Sequence, residues 1–255
     1  MMESLASTLS SVAHSAGRLA LDARRGELRR WTKHGNELVT SAELAIHDHV
    51  TRELSRALPG VSLVTEESED HVIPRGRFIV VDEIDGTAPY AAGADTWGVM
   101  IALVDEVPTC GVIHLPEKNV TITAQHQLGC WIGDQRVHTR FAGTLREATA
   151  GGDVSAALDD AGWSLIRSIA RTARTLRCLG SAAAGAFEYL QGITQLYANP
   201  VGGKIWDFAP IAIAVTEAGG VTSTAEGKPL QWDRVEMSFL ACATPELAAE
   251  VLALR

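Results

Sequence analysis

Two aspartates three positions apart, Asp82 and Asp85, stand in the stretch VDEIDGT directly after the apolar run Phe78-Ile79-Val80-Val81. A β-branched run that stops at an aspartate predicts a buried strand, and Gly86 allows a sharp turn just beyond it. Two carboxylates confined to one tight turn repel each other unless a cation lies between them, and hard oxygen donors on a short loop suit Mg²⁺ or Mn²⁺. A helix starting at Thr87 would add free backbone N–H groups able to hold a phosphate. The competing reading is a solvated surface turn, since Asp-Gly is a common turn dipeptide.

Other acids stand where elements should begin or end. A short strand, Val61 to Thr65, runs into Glu66-Glu67-Ser68, and neighbouring strand ends in an α/β protein can converge on one site. Asp207 follows Trp206 at the start of a predicted helix carrying Ile211, Ala214, Val215 and Ala218 on one face, stopped by Gly219-Gly220. Thr40 and Glu43 have the spacing of a capping box, the plain structural role for Glu43.

The elements that must position these residues follow from periodicity. Leu5, Leu9, Val12, Ala16, Leu19 and Ala20 predict an amphipathic helix to about Arg24, and Ile46, Val50, Leu54 and Leu58 a second, stopped by Pro59-Gly60. Residues 98–139 alternate as an antiparallel meander, with Trp97 and Trp131 as packing anchors. Gly151-Gly152 reads as a seam between an N-terminal α+β domain (1–145) and a C-terminal α/β domain (146–255). In the latter, helices over 161–173 and 181–191 alternate with short strands at 176–179 and 196–198. Asn199 to Lys204 reads as a loop, Val221 to Ser223 and Phe239 to Cys242 as closing strands, and Pro245 to Leu254 as a last helix.

At 255 residues, 46% hydrophobic and 21% charged, the composition is that of a globular chain. A net charge of −9 argues against a nucleic-acid backbone as partner, and no apolar stretch is long enough to span a bilayer. The N-terminus lacks the pattern of a signal peptide. Cys110, Cys130, Cys178 and Cys242 are widely spaced and read as reduced core thiols of a cytoplasmic protein.

Taken in order, Leu38-Val39-Thr40 with Glu43, Glu66-Glu67-Ser68, Asp82-x-Ile84-Asp85-Gly86-Thr87, Leu179-Gly180-Ser181-Ala182-Ala183, and Trp206-Asp207 with Glu217-Ala218-Gly219-Gly220 resemble the inositol monophosphatase family of Mg²⁺-dependent, lithium-sensitive phosphatases. The resemblance spans nearly the whole chain. It implies the layered α/β/α/β/α sandwich of the sugar-phosphatase type, a homodimer, and two or three Mg²⁺ ions, Mn²⁺ being an alternative. It further implies Glu66, Asp82, the Ile84 carbonyl, Asp85 and Asp207 as metal ligands. Asp85, Gly86, Thr87, Ser181 and, by a looser match, Lys33 would meet the phosphate or substrate. Catalysis would fall to Glu66, Thr87, Asp82 and Glu43, with a metal-activated water oriented by Glu66 and Thr87 attacking phosphorus in line. The cysteines and histidines have no part in it, and His34, His47 and His49 are expected in solvent.

Three departures stand out. Glu83 occupies the position where most relatives have proline and is expected to point to solvent. Glu43 replaces the aspartate that holds the threonine hydroxyl in the family. Asn199-Pro200-Val201-Gly202-Gly203 stands where inositol-selective members carry a glutamate, which argues against inositol phosphate as substrate. The expected activity is hydrolysis of a small polyol, sugar or related metabolite phosphate. Lys204-Ile205-Trp206-Asp207-Phe208 is reminiscent of histidinol-phosphate phosphatases. 3′-Phosphoadenosine 5′-phosphate nucleotidase and fructose-1,6-bisphosphatase share the fold, and a non-catalytic relative that binds a phosphorylated ligand is the alternative of another class.

Overall fold

The computed structural model of the protein describes residues 4–32, 38–68, 70–155 and 157–254. The described helices are α1 (Leu5–Arg25), α2 (Ser41–Ala57), α3 (Thr87–Ala92), α4 (Asp160–Thr172), α5 (Ala182–Leu190), α6 (Ile205–Glu217) and α7 (Pro245–Leu252). An antiparallel pair, β1 (Arg30–Thr32) and β2 (Leu38–Thr40), lies between α1 and α2 in the chain. A seven-stranded sheet follows in sequence order: β3 (Ser62–Thr65), β4 (Phe78–Asp85), β5 (Gly98–Asp105), β6 (Val107–Leu115), β7 (Val120–Gln125), β8 (Gly129–Ile132) and β9 (Gln135–Val137). Only its β3–β4 pair is parallel; the rest is the meander expected from the alternation. A five-stranded sheet contains β10 (Thr149–Gly152), β11 (Thr175–Arg177), β12 (Leu196–Lys204), β13 (Val221–Ser223) and β14 (Glu236–Cys242), in the order β11-β10-β12-β14-β13.

Side-chain alternation sorts the core into layers. Ile79, Val81, Val99, Ile101 and Leu103 of the larger sheet pack against Leu9, Val12 and Ala16 of α1 and Ile46, Val50 and Leu54 of α2. Their neighbours Phe78, Val80, Met100 and Ala102 face the other way, onto α5 and α6, which also meet Tyr197 and Phe239 of the smaller sheet. The outer face of that sheet buries Leu196 and Leu240 against Leu165 and Ile169 of α4 and Leu247 of α7. The result is the five-layer α/β/α/β/α arrangement. A strand sandwiched between two helical layers needs apolar residues on both faces, and all eight residues of β4 are buried.

Several elements differ from the sequence reading. Gly151-Gly152 closes the buried strand β10 and pairs with Tyr197 and Ala198 of β12. A Cβ on Gly152 would come within 3.1 Å of the Ala198 carbonyl oxygen, so glycine here serves close packing within a sheet. Residues 199–204 continue β12 as a strand, with a register irregularity between Asn199 and Gly203. Cys110, Cys130 and Cys242 are buried and free, whereas Cys178 is exposed. Trp97 is fully buried, while Trp131 is only partly covered and donates its indole N–H to the Leu128 carbonyl at 3.1 Å. Among the described residues no helix is long and apolar enough to cross a membrane.

Candidate active site

β4 delivers Asp82 and Asp85 to a bulge at its end, where pairing with β5 slips between Asp82 and Asp85. The bulge changes the pleat, and the two carboxylates come together with Asp207 from the first turn of α6. Ligand oxygens of the three lie within 4.8 Å of one another. Gly86 follows in the left-handed region, φ 82°, where a Cβ would stand 2.8 Å from the Ser181 Cβ and 3.0 Å from the Thr96 carbonyl oxygen. Both strain and crowding therefore demand glycine at the turn into α3.

Each acid is held by its element. Asp85 Oδ1 accepts from the Ala182 N–H at 2.9 Å, and Oδ2 from the Ala183 N–H at 2.8 Å and from the Ser181 hydroxyl. The Ser181 oxygen also accepts from the Ala184 N–H at 3.1 Å, so this serine caps α5 and fixes Asp85 at once. Asp207 Oδ2 accepts the Lys204 N–H at 2.8 Å. Glu66 starts the turn after β3; its own N–H donates to the Val81 carbonyl at 3.1 Å, and its carbonyl lies 3.0 Å from His71 Nε2. The His71 ring in turn lies 4.7 Å from that of Trp206, tilted by 52°, beside Asp207.

Glu43 has two parts. One oxygen accepts the Thr40 N–H at 2.5 Å, the glutamate's half of a capping box, and the other accepts the Thr87 hydroxyl at 2.7 Å. The longer glutamate arm therefore reaches the threonine while still capping α2. Thr87 Oγ1 also lies 3.2 Å from the Ile84 carbonyl oxygen.

Like charges gathered out of water dominate the electrostatics. Burial, then the neighbouring Glu66, Asp85 and Asp207, push the Asp82 carboxyl well above the usual range; burial and then Asp207 do the same to Glu66. Burial and then Asp85 push Asp207 up to about 7. Asp85 is raised by burial too, against the pull of its hydrogen bonds from Ser181, Ala183 and Ala182. Burial also brings Glu43 to about 7, opposed by its bonds to Thr87 and Thr40. Asp82 Oδ1 is buried with no hydrogen-bond partner among the described residues. An orphaned carboxylate oxygen inside a ring of acids fits a hard divalent cation, which takes oxygen donors and repays their mutual repulsion.

Two expectations are overturned. Glu83 does not point to solvent: it is 0% exposed, and its Oε1 lies 2.8 Å from His47 Nδ1. β4 is covered on both faces, so the side chain opposite Asp82 enters the layer beneath α2. His47 is accordingly half-buried, and His49 is bonded to Ser15 at 2.7 Å. Lys33 and His34 lie outside the described residues.

Sequence reasoning passed over Asp153 and Tyr197. Asp153, just beyond β10, accepts the Tyr197 hydroxyl, and burial pushes its carboxyl up to about 6. Its position after the C-terminal end of a parallel strand, one strand away from Asn199, was the available signal.

Fold and site together define a layered α/β protein with a buried acidic centre where strand and helix ends converge. The chain belongs to the inositol monophosphatase family, which it matches over residues 1–255. It is 28% identical to the fructose-1,6-bisphosphatase/inositol-1-monophosphatase of Thermotoga maritima, over 75% of this chain and 73% of that one. It is 27% identical to the histidinol-phosphatase of Mycobacterium tuberculosis, over 79% of each. The crystal structure of the extragenic suppressor protein suhB from Bartonella henselae superposes with a TM-score of 0.86, at 22% identity over 97% of this chain and 96% of that one. Membership supports a hydrolase that acts on phosphate esters.

Proposed function

We propose that the protein is a Mg²⁺-dependent phosphomonoesterase acting on a small polyol, sugar or related metabolite phosphate. The observation that carries this reading is the cluster of the buried Asp82 and Asp85 with the partly buried Asp207, beside Glu66, with one Asp82 oxygen left unpaired. These carboxylates, with the Ile84 carbonyl, would hold the ions. When bound, the ions would supply the positive charge that activates a water and neutralises the departing oxygen. The chain's own residues do the positioning. Thr87, with its hydrogen directed at Glu43, keeps lone pairs free to accept from the attacking water, and Glu66 offers a second acceptor. The turn at Gly86 and Thr87 would seat the phosphate, while Ser181 acts through Asp85.

Further polar groups lie next to the cluster. Asp153 Oδ1 and Asn199 Oδ1 are buried acceptors without donors, and Asp153 interacts electrostatically with Asp85 and Asp207. The test is phosphate release from histidinol, inositol and sugar phosphates, fructose 1,6-bisphosphate and 3′-phosphoadenosine 5′-phosphate, each with Mg²⁺ and with a chelator. Metal-dependent release from one or a few of these esters is expected. A folded protein that binds Mg²⁺ and releases phosphate from none of them would overturn the reading in favour of a ligand-binding role.

A further inference from the structure

Glu83 and His47 form a pair that the proposed hydrolysis does not use. Glu83 is fully buried one residue after Asp82, on the opposite side of β4. Its Oε1 lies 2.8 Å from His47 Nδ1, and the same nitrogen lies 2.9 Å from Thr65 Oγ1. An ionised carboxylate only accepts, so the ring N–H is directed to Glu83 and shared with the threonine oxygen. The Thr65 hydroxyl is then free to donate to Ser68 Oγ, 2.9 Å away.

This chain of bonds ties three elements together at one point. His47 is one helical turn beyond Glu43 on α2, so the face that holds Thr87 also carries the imidazole. Thr65 and Ser68 bracket Glu66 in the turn after β3, and Glu83 anchors the assembly to the strand that supplies Asp82. Outside this network, the Glu66 main chain has the Val81 carbonyl and His71.

We propose that His47, held by Glu83, is a positioning residue for Glu66: through Thr65 it sets the turn at 65–68 and so the placement of the Glu66 carboxylate against Asp82 and Asp207. The proposal rests on the reading of these acids as a cation site. Proline at position 83 could not make this bond. A buried glutamate without a partner would be costly, so Glu83 and His47 belong together.

The test is calorimetric titration of Mg²⁺ into the wild type and into His47→Ala, His47→Asn and Thr65→Val, with thermal melts of each in chelator. His47→Ala should weaken Mg²⁺ about 10-fold, the effect of losing a group that orients a ligand. His47→Asn, whose amide N–H can replace the ring Nδ1–H, should restore most of that affinity. Thr65→Val leaves the Glu83–His47 pair intact while cutting its link to the turn, and should weaken Mg²⁺ as well. Unchanged affinity in His47→Ala or Thr65→Val beside a lowered melt would overturn the proposal and leave the pair a purely structural bond. Should His47→Ala fail to fold, Thr65→Val alone decides. A wild-type protein that binds no Mg²⁺ would overturn the proposal together with the reading beneath it.

Discussion

Asp82→Asn is expected to abolish metal-dependent phosphate release while raising the melting temperature of the metal-free protein. The substitution keeps shape and removes the charge most crowded by Glu66, Asp85 and Asp207. Without metal that charge is a liability once the pH is high enough to ionise the carboxyl, and there roughly 1 kcal/mol of relief corresponds to about 2–4 °C for a chain of this size. With metal it is the oxygen left unpaired at the centre of the cluster, and loss of about 4 kcal/mol of charge stabilisation lowers turnover about 10³-fold. Asp85→Asn is a less clean experiment. Asp85 accepts from two main-chain N–H groups and the Ser181 hydroxyl, so an amide there would set an NH₂ against donors. Melts in chelator and a phosphate assay on the same Asp82→Asn sample check both halves. A lower metal-free melt would show that the carboxylate stabilises the fold, and retained turnover would remove Asp82 from the chemistry.

The metal-free protein should lose stability as pH rises, the reverse of an ordinary salt-bridged carboxylate. Asp207 moves from 3.8 to about 7 on folding and Glu43 from 4.5 to about 7, with Glu66 and Asp82 raised as well. Between the unfolded and folded values the native state binds more protons than the unfolded one, so the slope of stability against pH is negative. The contribution is fully present below about pH 4 and is lost as pH climbs through about 7. One carboxyl carried from 3.8 to about 7 corresponds to on the order of 4 kcal/mol. Saturating Mg²⁺ needs the acids deprotonated, and so should flatten or reverse that slope. Thermal melts across about pH 5 to about pH 8, in chelator and in Mg²⁺, separate the two curves. Parallel curves would contradict the assignment of these acids to a cation.

Much of this was legible in the chain. The apolar run before Asp82, the sharp turn at Gly86 and the capping-box spacing of Thr40 and Glu43 each have one local physical cause, and each stands as read. What escaped was non-local. Glu83 looked like a surface acid because an isolated glutamate seldom enters a core, yet a strand with helices on both faces has no solvent side, and the continuous apolar run before it carried that message. His47 could be linked to Glu83 only once α2 lay across β4, although its spacing from Glu43 already placed both on one helix face. That the glycine pair at 151–152 lies inside a strand escaped because glycine signals close approach as well as flexibility, and only the neighbouring strand tells which applies.

The most direct test of the central claim is an anomalous difference map from crystals of the protein soaked in Mn²⁺, a scatterer that shares the oxygen chemistry of Mg²⁺. A peak coordinated by Asp82, Asp85 and Asp207, with Glu66 on a second ion or a bridging water, is the predicted result. No density between these carboxylates at saturating Mn²⁺, in a protein that still hydrolyses phosphate esters, would contradict it and place the chemistry elsewhere in the molecule.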